Sequence, residues 1–285
     1  MNINFITQEP ADEYHARSRS GEFMSSHLLA DFRESPALYH KKVTGEIEDK
    51  DSSAFVIGRA AHCLILEGRK AFDRDYVVSD GPINPRTGEA YGRTTKAFAE
   101  WAATQEREVI SGKDFGFISQ LQTSVWLHPV ANDLLAHGVS EGVVRTNYCG
   151  VPCQIRMDWF SPEHGLVDLK TCDQLKWFES DCRRYGYIHQ LAFYRAIIRQ
   201  VTGETVPVKI IAVEKNEPFA CGVWKLGEEM LETATILFVR LEEPSTRTTT
   251  FSVFPRQRNT AEFTFPLTRA LFTPMPAKNS QAAER

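Results

Sequence analysis

No apolar run of membrane-spanning length and no paired-cysteine motif occurs in this chain of 285 residues. A membrane helix needs roughly 18 to 20 consecutive apolar residues, so a spanning helix is excluded. The opening MNINFITQEPADEY lacks a basic segment followed by an apolar stretch. That argues against a secretory leader, and the protein is expected to stay in the cytoplasm. Cysteines stand at 63, 149, 153, 172, 182 and 221 without a C-x-x-C pair. Neither a zinc ribbon nor a disulfide framework follows from such scatter, and the six read as reduced packing residues. An excess of positive charge is also missing, since 33 basic against 37 acidic residues give a formal charge of −4. General attraction to nucleic acid is thereby excluded. A local basic groove is not, because carboxylates that hold a metal count against the sum.

What is present is ample apolar material, 42% of residues, enough for one large domain or two small ones. SSHLLADFRESPALYH predicts a helix capped by Ser25 or Ser26, with Leu28, Leu29 and Phe32 on one face and a second short turn starting at Pro36. After the charged loop KKVTGEIEDKDSS, AFVIGRAAHCLILEG is apolar almost all round and stops on Gly68, as a buried helix does. Residues 79–95 are rich in glycine, proline and basic side chains and read as a long irregular loop. TKAFAEWAATQERE and DFGFISQLQTSVWLHPVANDLLAHG are helical by spacing, the second broken at Pro129.

From Ser140 onward, apolar and polar residues alternate in runs split by YCG and SPEHG, which predicts a three-stranded antiparallel meander. A helix follows in WFESDCRRYGYIHQLAFYRAIIRQVTG. VPVKIIAVEKN is a fourth strand and CGVWKL a fifth. The fold class is therefore α/β (α+β), a central mixed sheet flanked by helices. The domain is expected to span 1–241. The Thr/Arg/Pro-rich tail, 242–285, lacks a sustained period and is expected to have little fixed order.

Chemistry concentrates on the meander. In VPCQIRMDW, Val151, Cys153, Ile155 and Met157 share one face, and Gln154, Arg156 and Asp158 the other. In LVDLKT, Asp168 and Lys170 lie opposite Val167 and Leu169. Two carboxylates and an ammonium thus converge across one hairpin. Mg²⁺ prefers oxygen ligands and keeps several waters, so two strand carboxylates plus substrate phosphate oxygens suit it. When the motif stands alone, D-x-K is far more often an exposed Asp–Lys ion pair on a hairpin.

GVPCQIRMDWFSPEHGLVDLKT followed by YIHQLAFYRAI resembles the PD-(D/E)XK nuclease signature, in the form that carries a Q-x-x-x-Y helix. Asp158 takes the first acidic position, Asp168 and Lys170 the D-x-K positions, and Gln190 with Tyr194 the helix pair. Among subfamilies the chain is most similar to RecE-like exonucleases of the exodeoxyribonuclease VIII type. The likeness extends through DEYHA, ESPALYH, GRAAHCLILE and the basic loop from Arg86 to Lys96, over about the first 240 residues. It implies a restriction-endonuclease-like core and a Mg²⁺-dependent exonuclease, with Mn²⁺ as a possible substitute and no iron–sulfur cluster.

The resemblance makes His62 a third metal ligand beside Asp158 and Asp168, with the Leu169 carbonyl adding an oxygen. Without the family, His62 reads as a core histidine on an apolar helix. Gln190 and Tyr194, four apart on one helix face, take the role of positioning the catalytic lysine and a phosphate. Glu141 is a second-tier candidate at the start of the first strand. Arg86, Arg93, Lys96, Arg156, Arg183 and Arg184 are candidate DNA contacts, although such basic residues are more often simply solvated. Met157 replaces the proline that often precedes the first acidic residue, and the tail departs from the usual family ending.

The resemblance further implies digestion of linear double-stranded DNA from 5′ to 3′. The 3′ single strands left behind would serve recombination with a RecT-like annealing partner. The enzyme would be a homo-oligomeric ring, encoded by a phage or prophage in a bacterial host, with no membrane involvement. Ring topology retains DNA without net positive charge. A RecB- or Cas4-like nuclease of another machine is the enzymatic alternative, although the cysteine positions do not supply the cluster spacing common there. A non-catalytic DNA-end binding protein is the alternative of another class, disfavoured because every acidic and basic position of the centre is filled.

Overall fold

Ser25 and Ser35 each begin a helix by accepting a hydrogen bond from the amide three residues on, Leu28 and Leu38. They open the helices Ser26–Glu34 and Pro36–Val43, the second with proline in its first turn, as the sequence indicates. The computed structural model describes residues 3–47, 53–239 and 272–274. The expected boundary at residue 241 falls outside them, as does the tail apart from 272–274.

The strands are β1 (Tyr76–Val78), β2 (Glu108–Ile110), β3 (Val139–Tyr148), β4 (Val151–Ser161), β5 (Gly165–Cys172), β6 (Val208–Glu214), β7 (Cys221–Leu226) and β8 (Phe272–Pro274). β3 to β8 form one mixed sheet in sequence order. The meander β3–β4–β5 is antiparallel, β6 lies parallel to β5, and β7 returns antiparallel. The parallel step requires a crossover, which the helices Phe178–Arg184 and Tyr187–Thr202 provide. β8 adds three residues of the expected tail to the outer edge of β7.

The five strands predicted for this sheet are present, while the short parallel pair β1–β2 was not expected. Glu108 falls in the stretch read as helix, yet that helix ends at Ala102. A three-residue strand is too short for alternation to reveal it.

Both faces of the sheet are covered. Ile210 and Ala212 of β6 join the core layer that includes Ile155, Met157, Leu191 and Ile198, beneath the Tyr187–Thr202 helix. Ile211 and Val213 join the opposite layer with Leu64, Ile118, Leu121, Val167 and Leu169, against the Gly112–Leu127 helix. A strand covered on both sides reads as a continuous apolar run, as VKIIAVE does. Among the described residues no helix is long and apolar enough to cross a membrane.

Candidate active site

β4 and β5 pair only through Trp159–Val167, Phe160–Leu166 and Ser161–Gly165, and then part. β5 stays paired to β6 as far as Cys172–Glu214. Along its free length β4 instead takes Met24, whose amide donates to the Pro152 carbonyl and whose carbonyl accepts from the Gln154 amide, at 2.8 and 2.9 Å. The result is a fork in the sheet. Backbone groups at a fork need other partners, and at this one the Asp158 carboxylate accepts from the Leu169 amide at 2.8 Å.

Alternation along β4 holds through Cys153, Ile155 and Met157, all in the first core layer, and then breaks. Met157 and Phe160 both belong to that layer although three residues apart, whereas Trp159 belongs to the opposite one. Asp158 lies in the break. Across the β3–β4 hairpin Ser140 pairs with Trp159 and Gly142 with Met157, which sets Glu141 opposite Asp158. Glu141 has φ 53°, a left-handed conformation that non-glycine residues seldom adopt. Such strain concentrates at functional sites.

The Asp168 and Lys170 side chains meet on β5, where Asp168 Oδ2 is 2.6 Å from Lys170 Nζ. Asp168 is 1% exposed. Its carboxyl is hydrogen-bonded to the Asp158 carboxyl as well. Burial pushes the Asp168 carboxyl up to about 7 against the pull of Lys170, and the neighbouring Asp158 charge adds to the rise. Burial opposes the Lys170 ammonium as well, but the facing Asp168 and Asp158 carboxylates outweigh it and hold the proton more firmly than in a free lysine.

His62 ends the helix Ser53–His62, and the next five residues, Cys63–Glu67, widen into a π-turn closed by the Gly68 amide on the Cys63 carbonyl at 3.0 Å. The sequence predicts one regular helix up to Gly68, and periodicity carries no sign of this turn. π-turns recur at functional sites. Here the helix delivers His62 Nδ1 to 3.6 Å from Asp158 Oδ2. Burial lowers the His62 pKa despite Asp158, favouring the neutral imidazole that donates a lone pair to a metal. The Leu169 backbone hydrogen-bonds to the same ring.

His62, Glu141 and Asp158 each place one ligand atom within 4.8 Å of the others. Glu141, ranked second from sequence, therefore belongs to the centre. Arg156 Nε lies 3.1 Å from its Oε2. Burial and then the Asp158 charge raise the Glu141 carboxyl to about 8, with Arg156 opposing. Two carboxylates and an imidazole within 4.8 Å of one another, with the Asp168 carboxyl beside Asp158, fit a hard divalent cation. They form a candidate acidic and histidine metal site. The signal for Glu141 was available, because Glu141 and Asp158 are equidistant from the Cys149–Gly150 turn.

Gln190 Nε2 donates to the Tyr194 hydroxyl at 3.2 Å, and Ser26 Oγ donates to it at 3.4 Å. Tyr194 is buried and lies in the fields of Asp158 and Asp168. Ser26 was read only as a possible helix cap. Its place depends on Met24 filling the fork, which short-range pattern does not encode.

The candidate DNA contacts separate by position. Arg156 belongs to the centre through Glu141. Arg93 donates to the Val109 carbonyl at 2.8 Å and sits over the Phe98 ring, tying down the 79–95 loop. Lys96 pairs with Glu100 along an exposed helix. Arg86 lies in an exposed turn closed by Asn84. Arg183 and Arg184 are exposed at the end of the Phe178–Arg184 helix, Arg184 over the Tyr185 ring.

Residues 25–262 match the family model of a PDDEXK-like domain of unknown function (DUF3799). A crystal structure from Eubacterium rectale, described as a "Putative exonuclease", has the same fold, with a TM-score of 0.59 and 19% sequence identity. The match covers 84% of this chain and 85% of that chain. No curated protein matches the sequence.

Proposed function

The chain belongs to the PDDEXK-like domain family, and on that premise we propose that it is a magnesium-dependent exonuclease acting on the ends of linear double-stranded DNA. One observation carries the reading. Where β4 and β5 part, His62, Glu141 and Asp158 cluster within 4.8 Å, and the Asp168–Lys170 pair lies beside Asp158.

In this reading His62, Glu141, Asp158 and Asp168 hold the cation, and the Leu169 carbonyl adds an oxygen. Mg²⁺, or Mn²⁺ in its place, supplies Lewis acidity to the scissile phosphodiester and acidifies a water. Lys170 keeps its proton and directs it at the attacking water and a non-bridging phosphate oxygen, so it offsets transition-state charge rather than acting as a base. Asp168 fixes that ammonium. Gln190 and Tyr194 hold the phosphate side of the same pocket, and Arg156 orients Glu141.

Digestion proceeds from the 5′ end and leaves a 3′ single strand for a RecT-like annealing partner in recombination, within a homo-oligomeric ring. The similarity of the motif set to RecE-type enzymes supports these finer points.

The test is a time course on linear duplex labelled at the 5′ end, in parallel with 3′-labelled and circular duplex. The expected result is early release of short 5′-labelled products, only with Mg²⁺, and none from the circle. Undiminished cleavage by Asp168→Ala protein would sink the site. Binding of ends without cleavage in any metal would favour a non-catalytic end-binding protein.

A further inference from the structure

Beyond Lys170, β5 ends beside a hollow of about 150 Å³ lined by Thr171, Asp173, Phe178, Asp181, Tyr185, Tyr187 and neighbours. It abuts the candidate active site, because the Lys170 ammonium lies 5.0 Å from the centroid of the Tyr187 ring. Tyr185 stacks on Tyr187, with centroids 5.7 Å apart and planes 30° from parallel. Tyr187 is partly buried against Phe178, whereas Tyr185 is 58% exposed. The aromatic wall thus runs from the reaction centre out to solvent. Tyr187 takes one side of this ring and the exposed Arg184 guanidinium lies over it, so a base reaches the π-surface by displacing a surface arginine side chain.

The polar groups are equally specific. Lys215 Nζ engages Asp173 at 2.8 Å, which leaves Asp181 as the carboxylate facing the hollow without that cation. A carboxylate accepts hydrogen bonds only, so it selects a ligand edge that carries N–H donors. Arg184 sits over the Tyr185 ring at 5.4 Å and brings positive charge to the rim. An aromatic wall, an acceptor at its side and a cation at its mouth match the base, amine edge and phosphate of one nucleotide.

The geometry points to a nucleobase subsite beside Lys170, in which an unpaired base of the strand being cut stacks on Tyr185 and donates its exocyclic amine to Asp181. This rests on the nuclease reading for the identity of the strand, but not for the binding itself. Cytosine, adenine and guanine carry such an amine, whereas the one edge donor of thymine, N3–H, is flanked by two carbonyl oxygens that a carboxylate repels, so the subsite favours single-stranded DNA poor in thymine. Tyr185 and Asp181 are positioning residues, holding the base so that its phosphate reaches the centre.

The experiment measures fluorescence anisotropy of short fluorescein-labelled oligodeoxycytidylate and oligodeoxythymidylate, with Ca²⁺ to suppress cleavage and again in EDTA. Wild-type protein is expected to bind the cytidylate more tightly. Tyr185→Ala should weaken both, on the order of tenfold. Tyr185→Trp should retain binding, and Asp181→Asn should remove the cytosine preference while keeping thymidylate affinity. Melting temperatures of the variants report folding. A folded Tyr185→Ala protein that binds like wild type, or a cytosine preference unchanged in Asp181→Asn, overturns the subsite. Absence of duplex hydrolysis by the wild type with Mg²⁺ overturns the nuclease reading instead, and the anisotropy still decides the subsite.

Discussion

The Leu169 amide donates to the Asp158 carboxylate at 2.8 Å, at the level where the β4–β5 ladder has ended. A side chain replaces a backbone carbonyl there, so the same carboxylate that faces His62 also closes the fork. Its charge and its shape are separable. Asp158→Asn keeps an oxygen acceptor for Leu169 but loses the anion. Cleavage should fall at least ~100-fold, with a melting temperature within a few degrees of wild type, because one neutral hydrogen bond contributes only about 1 kcal/mol. Asp158→Ala should lose activity and stability together. Circular dichroism melts alongside the duplex assay distinguish the two, and an active Asp158→Asn protein contradicts the site.

Glu141 gives the reverse contrast. Burial and then the Asp158 charge raise its carboxyl in the metal-free protein, so a neutral, nearly isosteric glutamine costs the fold little. Glu141→Gln should change metal-free stability by less than ~1 kcal/mol, within the range of near-isosteric changes. Affinity for Mn²⁺, followed by calorimetry, should drop about tenfold or more. Equal affinity would remove Glu141 from the metal site.

Lys170→Met replaces the ammonium with an apolar chain of similar volume and leaves Asp168 without its partner. Cleavage should be lost by more than ~100-fold, as for removal of one charge-stabilising donor. Mn²⁺ binding should persist, which titration calorimetry measures. Loss of metal binding in a folded Lys170→Met protein would assign the lysine a structural part only.

Gly165 closes the β4–β5 hairpin at φ 76°, and a Cβ there would lie 2.4 Å from the Pro207 carbonyl oxygen. Backbone cannot yield as a flexible side chain does. Gly165→Ala should therefore destabilise by about 2–4 kcal/mol through strain and displacement of the Pro207 segment. Urea unfolding measures it, and a midpoint unchanged from wild type contradicts the packing.

His189 Nε2 lies 3.0 Å from a guanidinium nitrogen of Arg33. Burial, and then the Arg33 charge, lower its pKa to about 4. The unfolded chain binds a proton near the ordinary value of about 6.5. Between these values the unfolded state holds more protons, so the contribution of His189 is complete above about 6.5 and is lost as pH falls towards 4. His189→Gln should flatten the decline of melting temperature over that interval. An identical slope in wild type and variant rules the contribution out.

The sequence alone determined the five strands β3 to β7, the helix start at Ser25 or Ser26, the turn beginning at Pro36, and Asp168 with Lys170 on one strand face. Each depends on neighbours a few residues apart, where period and chain geometry decide which side chains share a face. Tertiary structure decided the rest. Glu141 enters the centre through hairpin register and a left-handed backbone, and Asp158 sits where alternation breaks. His62 arrives on a helix that widens into a π-turn, and Ser26 reaches Tyr194 because Met24 fills the fork. These placements follow from packing between segments far apart in the chain, and local periodicity carries no record of such contacts.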